Sequence, residues 1–438
     1  MSALVGGLSG KERAQLDAAV LEYLKKVAPA AADAFAPAPP DAAAQPGALE
    51  RKWVSVVRLQ RRVLDLEAKA KAGGRATPPP GGSYAPRAPC AHALRGHRGA
   101  VTCAAASGGL AATGAEDGAI RLWDCASGAA AGSLGGHVDA VLALAFDDGG
   151  ALLSCSADGT AKVWPAAAVA AGGGAGATLR GHGGAVSGGC FAHGDGGADA
   201  AAVVTASRDG DVRCWRPADG AALGAARAPH GAGEALRGCA ARRCARGARY
   251  GGDCAALVAT CGGNTARIFA LGAGGALADA AQPLAGHAHA VEAVAFGPDA
   301  ATRAVDAAAY AKLSLADGAA ARRSVVVATC ARDGEARVWR VAPDPAAGAT
   351  GLPAPACLRV LAAHGSWVRC LAWHPCGRRL STASDDRSIK VWDVPDGRVV
   401  ASLDDAHAGF VAALALCGDA KTLVSGGDDR LVRLWSCR

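Results

Sequence analysis

The sequence of 438 residues is poor in aromatic side chains, which make up 4% of it, and it contains one methionine. Alanine and glycine are abundant, so any core must be built from small residues and a few well-placed tryptophans. No apolar run is long enough to span a bilayer, and the first residues, MSALVGGLSGKERAQL, lack the basic-then-apolar order of a signal peptide. These absences favour an intracellular soluble protein without membrane insertion.

Motifs for metal binding and catalysis are also missing. The 16 cysteines form no CxxC pair, so they are expected to be small buried hydrophobic residues rather than zinc ligands or disulfides. There is no GxSxG element, and GGLSGK (6–11) lacks the first glycine and the Ser/Thr of a phosphate-binding loop. The net charge of +7 is modest, and the basic residues are not interleaved with stacking aromatics. The sequence therefore predicts a non-enzymatic protein with no cofactor, no metal and no nucleic-acid partner.

A unit with two marks is repeated along the chain. The first mark is a turn containing histidine, found at LRGHRGAV (94–101), LGGHVDAV (134–141), LRGHGGAV (179–186), LAGHAHAV (284–291), LAAHGSWV (361–368) and DDAHAGFV (404–411). The second mark ends in tryptophan, at AEDGAIRLWD (115–124), SADGTAKVWP (156–165), SRDGDVRCWR (207–216), ARDGEARVWR (331–340), SDDRSIKVWD (384–393) and GDDRLVRLWS (427–436). A weaker seventh copy lies between His230 and CGGNTARIFA (261–270). The units resemble WD40 repeats, so we expect an all-β, seven-bladed β-propeller over residues 90–438, each blade having four strands, a to d.

Four polar or aromatic residues recur in six of the copies, and three of them keep a constant spacing. The aspartate of the turn between strands b and c lies four residues after a Ser or Thr and six before the tryptophan, which predicts one hydrogen-bonded network per blade, because buried polar groups must be satisfied together. The six sets are His97, Thr113, Asp117 and Trp123; His137, Ser154, Asp158 and Trp164; His182, Thr205, Asp209 and Trp215; His287, Thr329, Asp333 and Trp339; His364, Thr382, Asp386 and Trp392; and His407, Ser425, Asp429 and Trp435. A catalytic triad would occur once, so this sixfold set is interpreted as structural. In the fourth copy Gly263 replaces the aspartate and Phe269 the tryptophan, which predicts that this blade is the loosest.

The two ends of the repeat region are expected to pair. The sequence stops just after strand c of the last repeat, and Pro89–Leu94 precedes the first histidine turn without a blade of its own. Pairing them would close the ring and remove an exposed sheet edge. The insertion Asp299–Arg323 in repeat five is predicted to be a surface loop.

The first quarter of the chain predicts a dimer. Residues 1–40 contain the helical stripe of LSGKERAQLDAAVLEYLKKV (8–27) and resemble a LisH dimerisation motif; residues 47–72, with LERKWVSVVRLQRRVLDLEAKAKA (49–72), predict a coiled coil; residues 73–89 predict a flexible linker. A lone helix docked on the propeller is the alternative to the coiled coil. The predicted dimerisation residues are Leu16, Val20, Leu24, Val56, Leu59, Val63 and Leu66.

This order of modules, the coiled-coil sequence ERKWVSVVRLQRRV and the terminal VRLWSCR together resemble the lissencephaly-1 family over nearly the whole chain. The resemblance implies a dimeric regulator that binds the motor ring of the cytoplasmic dynein heavy chain and promotes minus-end-directed transport, nuclear positioning and spindle function. It also implies a location in the cytoplasm and cytoskeleton, at the centrosome or microtubule-organising centre and at the spindle. The implied partners include a NudE-type coiled-coil adaptor and, in animals, the catalytic subunits of a platelet-activating-factor acetylhydrolase. The alternative function is a WD40 substrate receptor of a ubiquitin ligase, although no F-box or similar recruiting segment is visible.

One tryptophan is not explained by the repeat. Trp367 lies just before the strand-a valine, where four other copies have alanine and the last has Phe410. The loops from strand d to strand a share one face of a propeller with the turns from b to c, where arginines flank several of the aspartates. We expect Trp367 to be exposed, and an exposed tryptophan surrounded by arginines is typical of a binding hot spot with an acidic partner, although scattered arginines can also merely solubilise a rim. With the family resemblance, the predicted dynein-binding residues are Arg208, Arg237 (assigned to the d–a loop of blade four), Arg332, Trp367 and Arg387.

Overall fold

The computed structural model describes residue 86 and residues 88–193, 201–231, 233–243, 256–299, 301, 324–341 and 355–437. The chain divides into two compact units, residues 1–75 and 76–438, and every described residue belongs to the second. The predicted LisH-like motif, coiled coil and dimerisation residues, and most of the linker, lie outside the described residues. Most of the insertion Asp299–Arg323 does so too.

The described residues form twenty-nine short strands in seven antiparallel sheets. A closing strand comes first, β1 (His92–Arg95). Blades one to three contain β2 (Val101–Ser107), β3 (Leu110–Ala115), β4 (Ile120–Asp124), β5 (Ala130–Leu134); β6 (Val141–Phe146), β7 (Leu152–Ser156), β8 (Ala161–Trp164), β9 (Ala177–Leu179); and β10 (Val186–His193), β11 (Ala201–Ser207), β12 (Val212–Trp215), β13 (Ala222–Ala226). Blades four and five contain β14 (Leu236–Arg243), β15 (Ala256–Gly262), β16 (Thr265–Leu271), β17 (Leu277–Asp279), β18 (Leu284–Ala285); and β19 (Val291–Phe296), β20 (Val325–Ala331), β21 (Glu335–Val341), β22 (Ala356–Ala362). Blades six and seven contain β23 (Val368–Trp373), β24 (Arg379–Ser384), β25 (Ile389–Asp393), β26 (Arg398–Leu403); and β27 (Val411–Leu416), β28 (Thr422–Gly427), β29 (Leu431–Ser436).

The first strand of each blade is the innermost one. These strands contact one another in a closed circle, β2 with β6, β6 with β10, β10 with β14, β14 with β19, β19 with β23, β23 with β27, and β27 with β2. The predicted seven-bladed propeller is therefore confirmed. Within the described residues, blade two also contains a short helix, α1 (Ala166–Ala171), and blade four has β18 paired with β16, neither of which the repeat pattern predicts.

The ring closes between the two ends of the repeat region. Strand β1 pairs antiparallel with β29, with Leu94 opposite Val432, so that the seventh sheet has the order β1-β29-β28-β27. An isolated bridge joins Pro86 to Cys437. The expected pairing is present, and the paired strand begins and ends slightly later than Pro89–Leu94. Leu94 is buried between blade seven and blade one, so the closing strand contributes apolar packing as well as backbone hydrogen bonds.

The core consists of seven clusters, one at each seam between blades. Every cluster contains the strand-c aromatic residue of one blade packed against the apolar side chains of the blade before it. Trp435 of blade seven, for example, packs with Ile389 of blade six, and Phe269 occupies the same place at the seam of blades three and four. One large ring per seam is sufficient because glycine and alanine let the inner strands approach closely. A Cβ added to Gly188 of β10 would lie 2.7 Å from the backbone nitrogen of Cys239 in β14.

The cysteines of the described residues are free thiols, and most of them are buried, as the sequence predicts; Cys357 and Cys376 are exposed exceptions. No cluster of three or more His, Cys, Asp or Glu side chains suited to a metal ion occurs in the described part of the chain. Nor does that part contain a helix with the length and apolar character required to cross a bilayer.

Candidate functional site

Blade six shows how the four-residue network holds a blade together. The Trp392 Nε1 donates to the Thr382 hydroxyl at 2.8 Å, the hydroxyl lies 2.7 Å from His364 Nε2, and His364 Nδ1 lies 2.9 Å from Asp386 Oδ2. Blades two, three, five and seven repeat these contacts with His–Asp distances of 2.8 to 3.0 Å.

The hydroxyl is the centre of the network in each of these blades. In blade two, Ser154 accepts from Trp164 Nε1 at 2.9 Å and lies 2.8 Å from His137 Nε2. The remaining hydroxyls repeat both contacts at 2.7 to 2.9 Å. They are Thr205, between Trp215 and His182; Thr329, between Trp339 and His287; and Ser425, between Trp435 and His407.

These central residues are interior groups that a partner cannot touch. Ser154, Thr205 and Ser425 are fully buried, and the ring of Trp435 is 3% exposed. The same holds for the other hydroxyls and indoles of the six networks, none of which is more than 3% exposed: Thr113, Thr329, Thr382, Trp123, Trp164, Trp215, Trp339 and Trp392. Although the sequence singles these residues out as strongly as any in the chain, they stabilise the blades and form no part of a binding surface.

The chemistry of the four groups fixes the direction of each hydrogen bond. An ionised carboxylate only accepts, so the imidazole must carry its proton on Nδ1, and its Nε2 then accepts from the hydroxyl, which in turn accepts from the indole N–H. This arrangement requires a neutral imidazole. Burial lowers the pKa of His364, and the nearby Lys390 lowers it further against the opposing effect of Asp386. Burial alone would raise the pKa of Asp386, but hydrogen bonds from His364, Ser388 and the Gly365 backbone hold it well below its usual range.

Two blades depart from this pattern. In blade one, His97 Nδ1 is 3.5 Å from Asp117 Oδ1, although both His97 and Trp123 bond the Thr113 hydroxyl at 2.8 Å. In blade four, His230 Nε2 lies 2.9 Å from the Thr260 hydroxyl, and the hydroxyl of Thr265, 3.3 Å from Nδ1, stands in for the missing carboxylate. Burial and the nearby Arg267 lower the pKa of His230 to about 4.

The network also fixes the backbone on both sides of Trp367. The Gly365 N–H donates to Asp386 Oδ2 at 2.8 Å, and the Asp385 N–H donates to the Trp367 carbonyl at 2.9 Å. The same backbone bond occurs in the five other blades that have a network aspartate, where the acceptor is the carbonyl of Ala100, Ala140, Ala185, Ala290 or Phe410. The fold therefore uses only the carbonyl at this position, and the side chain is free to differ between blades.

The Trp367 side chain lies between charged residues of two blades. The Arg332 guanidinium carbon is 4.2 Å from the centroid of the indole ring and that of Arg369 is 5.0 Å from it, while the His289 ring lies 6.4 Å away at 38°. These neighbours leave the indole half-buried, so the expectation of an exposed tryptophan is wrong in degree. Guanidinium groups at these distances interact favourably with the face of an indole.

Both arginines are held by carboxylates. The Nε of Arg332 donates to Glu292 Oε1, and Nη1 of Arg237 is 3.5 Å from the same oxygen. Arg369 makes a two-pronged bond with Asp385, Nε to Oδ1 at 2.8 Å and Nη2 to Oδ2 at 2.9 Å. Burial disfavours the charge of Arg369, yet the hydrogen bonds and charge of Asp385 raise the pKa of Arg369.

The structure brings some of the five predicted residues together and separates others. Arg332 and Trp367 are in contact, and Arg237 is joined to Arg332 through Glu292. Arg208 is an exposed residue of blade three without a carboxylate partner among the described residues. Arg387 is 54% exposed and pairs with Asp405 at 3.0 Å, and its φ of 68° shows that it occupies the position that glycine takes in blades one, two, three and five.

The assignment of Arg237 to a loop is wrong. It is the second residue of β14, and the register of the sheet shifts around it, which makes it the extra residue of a β-bulge. All seven inner strands have this bulge, and the residues there are Thr102, Leu142, Ser187, Arg237, Glu292, Arg369 and Ala412. Charged residues occupy the position in blades four, five and six only, which is the sequence signal that could have identified Glu292 and Arg369.

On the propeller face that contains Trp367, positive and negative residues lie in two separate arcs of neighbouring blades. The residue before the network aspartate is Arg208 in blade three and Arg332 in blade five, but it is acidic in blades six, seven and one, as Asp385, Asp428 and Glu116. Burial raises the pKa of Asp428, and the nearby charges of Asp385 and Glu116 raise it further against the effect of Arg369. The tryptophan lies where the two arcs meet.

Seven antiparallel blades of four strands, with a fifth short strand in blade four, are closed by a strand from before the first repeat. Together with the repeated His–hydroxyl–indole networks they define a WD40 β-propeller protein. The family model described as "WD domain, G-beta repeat" matches residues 88–124, 128–165, 355–393 and 397–436. These are blades one, two, six and seven, and the other three blades have longer connections between their strands, for example between residues 243 and 256 and between residues 296 and 325.

Similar proteins are known over most of the chain. "Nuclear distribution protein PAC1" of Coccidioides posadasii is 32% identical over 394 residues, which cover 84% of this chain and 75% of the relative. "Nuclear distribution protein nudF" of Emericella nidulans is 31% identical over 388 residues, covering 84% and 78%. The chain belongs to the family of nuclear distribution proteins PAC1 and nudF, which confirms the resemblance to the lissencephaly-1 family.

Proposed function

We propose that this protein regulates nuclear distribution in the dynein pathway, without enzymatic activity of its own. We further propose that the propeller face containing Trp367, with Arg208, Arg237, Arg332 and Arg387, binds the motor ring of dynein. The support for the pathway is membership of a family whose relatives are named for nuclear distribution. The support for the face is the indole of Trp367 stacked with Arg332 at a position where the fold uses only a backbone carbonyl.

The composition of this surface suits an acidic protein partner. Tryptophan and arginine are the residue types most often responsible for binding energy at protein interfaces, and a partly buried, positively charged site favours a negatively charged counterpart. Arg208, Arg237 and Arg387 extend the positive charge across blades three, four and six. Because they lie further from the indole, they are assigned to steering and orientation, and their effect is expected to fall with ionic strength.

The binding experiment has a matched control inside the chain. Phe410 occupies in blade seven the position that Trp367 occupies in blade six, and it is 46% exposed. We expect Trp367→Ala, alone or with Arg332→Ala, to weaken binding to purified dynein motor domain about 10- to 100-fold, and Phe410→Ala to have little effect. Unchanged binding by Trp367→Ala at equal folded fraction would exclude this face.

Self-association is proposed on the sequence of residues 1–72 alone. A homodimer would present two propeller faces, so a dynein complex with two motor rings would be held by both. Multi-angle light scattering on the full chain should give the mass of a dimer, and Val56→Asp with Val63→Asp should reduce it to a monomer. A monomeric mass for the unchanged chain would favour the alternative of a helix docked on the propeller.

The remaining partners and locations are proposals from the family. A NudE-type adaptor, and acetylhydrolase catalytic subunits where the organism has them, are the candidate partners besides dynein, and centrosome and spindle are the candidate locations. Affinity purification from cell extract should recover dynein heavy chain. Recovery of cullin or other ligase subunits in place of dynein would instead support the substrate-receptor alternative.

A further inference from the structure

The proposed dynein-binding surface contains two carboxylates that simple electrostatics does not explain. Glu292 and Asp385 pair with Arg332 and Arg369, the two arginines that contact Trp367, and the side chains of Glu292 and Asp385 are only 12% and 7% exposed. If the surface attracted an acidic partner through charge alone, both carboxylates would weaken binding. Their contacts indicate another role, and the inference that follows rests on the proposed function.

We propose that Asp385 and Glu292 are positioning residues that hold Arg369 and Arg332 against the indole, so that Trp367 is oriented before its partner arrives. Asp385 accepts hydrogen bonds from Nε and Nη2 of Arg369, at 2.8 and 2.9 Å. The guanidinium carbon of that arginine lies 5.0 Å from the indole centroid. Glu292 accepts from the Nε of Arg332, whose guanidinium carbon lies 4.2 Å from the same centroid.

Fixing two arginines in the free protein removes a cost from binding. Arginine has many rotamers, and ordering such a side chain at the moment of association lowers affinity, whereas ordering it beforehand does not. Each carboxylate also neutralises part of the charge that would otherwise drive two guanidinium groups apart around one indole. The two carboxylates therefore lower the net positive charge of the surface, but they order its arginine side chains before the partner binds.

The repeat supplies a natural control for Asp385. Glu116 occupies the same position in blade one, directly before the network aspartate, but the residue facing it across the backbone hydrogen bond is Ala100 instead of a tryptophan. Its side chain accepts from the Ala100 N–H at 3.4 Å. Glu116 thus has the same charge and the same place in the repeat as Asp385, but among the described residues its side chain contacts neither an arginine nor an indole.

The two explanations predict opposite signs for one substitution. Asp385→Asn and Glu116→Gln each make the protein more positive by one charge. If net positive charge alone drives binding, both substitutions should tighten binding to the dynein motor domain. If Asp385 positions Arg369 against the indole, Asp385→Asn should weaken binding to the motor domain about 3- to 10-fold, while Glu116→Gln should leave binding equal or tighter.

The decisive measurements use the full chain and two readouts. Affinity for dynein motor domain is measured for Asp385→Asn, Glu116→Gln, Trp367→Ala and the double variant Trp367→Ala/Asp385→Asn; the double variant should bind no more weakly than Trp367→Ala, because Asp385 acts through the indole. Acrylamide quenching of the Trp367 fluorescence, taken as the difference from the matching Trp367→Phe chain, should rise with Asp385→Asn and not with Glu116→Gln. Binding as tight as or tighter than the unchanged chain for Asp385→Asn, or unchanged quenching, overturns the positioning role. Loss of effect for Trp367→Ala itself overturns the proposed face, while a quenching change still supports the positioning of the indole.

Discussion

The hydroxyl at the centre of each network should be worth more than one hydrogen bond. In blade five, Thr329 is 1% exposed, and its oxygen is shared by Trp339 Nε1 at 2.9 Å and His287 Nε2 at 2.8 Å. Thr329→Val keeps the shape of the side chain but leaves both nitrogens buried without a partner. A buried polar group left unsatisfied costs about 1–3 kcal/mol, so the substitution should lower the free energy of unfolding by about 2–5 kcal/mol.

Blade four provides the comparison for this prediction. Thr260 there is fully buried, but among the described residues its hydroxyl bonds only one side chain, that of His230 at 2.9 Å, because Phe269 has no N–H group. Thr260→Val should therefore cost about 1–3 kcal/mol. In Thr329→Val the Trp339 Nε1–H loses its acceptor, and adding Trp339→Phe removes that N–H group. The double variant should therefore lose less stability than the sum of the losses measured for Thr329→Val and Trp339→Phe alone.

Urea unfolding of the full chain, followed by far-ultraviolet circular dichroism, measures these differences as shifts in midpoint at constant slope. Circular dichroism is preferred to fluorescence because one variant changes a tryptophan. Equal losses for Thr329→Val and Thr260→Val, or additive losses in the double variant, would refute the shared-hydroxyl account.

Three further predictions concern closure, acid stability and close packing. Leu94→Asp, at a buried position of the closing strand, should lower the free energy of unfolding by about 2–4 kcal/mol and therefore lower the melting temperature. Ala93→Asp, on the exposed side of the strand, should leave the melting temperature nearly unchanged. The pKa of His230 is lowered to about 4 in the folded protein, so its contribution to stability is complete above the unfolded value near 6.5 and is lost as the pH falls toward 4. His230→Gln should remove about 2 kcal/mol of the fall in unfolding free energy between pH 7 and pH 5, seen as a flatter plot of urea midpoint against pH. Gly188→Ala should destabilise by about 1–3 kcal/mol in the same assay, because its Cβ would meet the Cys239 backbone, while Gly109→Ala, with open space around it, should be neutral.

The architecture was predictable because its signals repeat. Constant spacing of the Ser/Thr, Asp and Trp over six copies identifies the strands and the turns, and it allows a degenerate copy with Phe269 to be recognised as a blade. The closing strand followed from counting strands at the two ends. The bulge at the second residue of every inner strand could not be predicted in the same way, because the seven residues found there, from Thr102 to Ala412, share no chemical property.

The candidate site was predicted only where it departs from the repeat. Trp367 stands out because alanine is the usual residue at its position, and Arg332 because it lies beside a network aspartate. Glu292 and Arg369 were not predicted, because each is the bulge residue of its own inner strand and the repeat pattern does not reveal the bulge. Arg332 of blade five and Arg369 of blade six meet at the indole because the two blades pack together, which a pattern within one repeat does not describe.

Two adjacent carboxylates of blade six, Asp385 and Asp386, differ in the groups that they bond. Asp386 bonds His364 and the Gly365 N–H, and its counterparts in blades two, three, five and seven do the same work, so its loss should be felt in the unfolding of the blade. Among the described residues, Asp385 bonds Arg369 alone through its side chain, and the residue at its position is alanine in blade two and arginine in blades three and five. Since both carboxylates belong to one turn, the network that stabilises the blade also fixes the backbone from which Asp385 and Trp367 project. The side chains before Asp386 and before Val368 can therefore differ from blade to blade without cost to the fold, and these two positions hold Asp385 and Trp367 of the proposed binding surface.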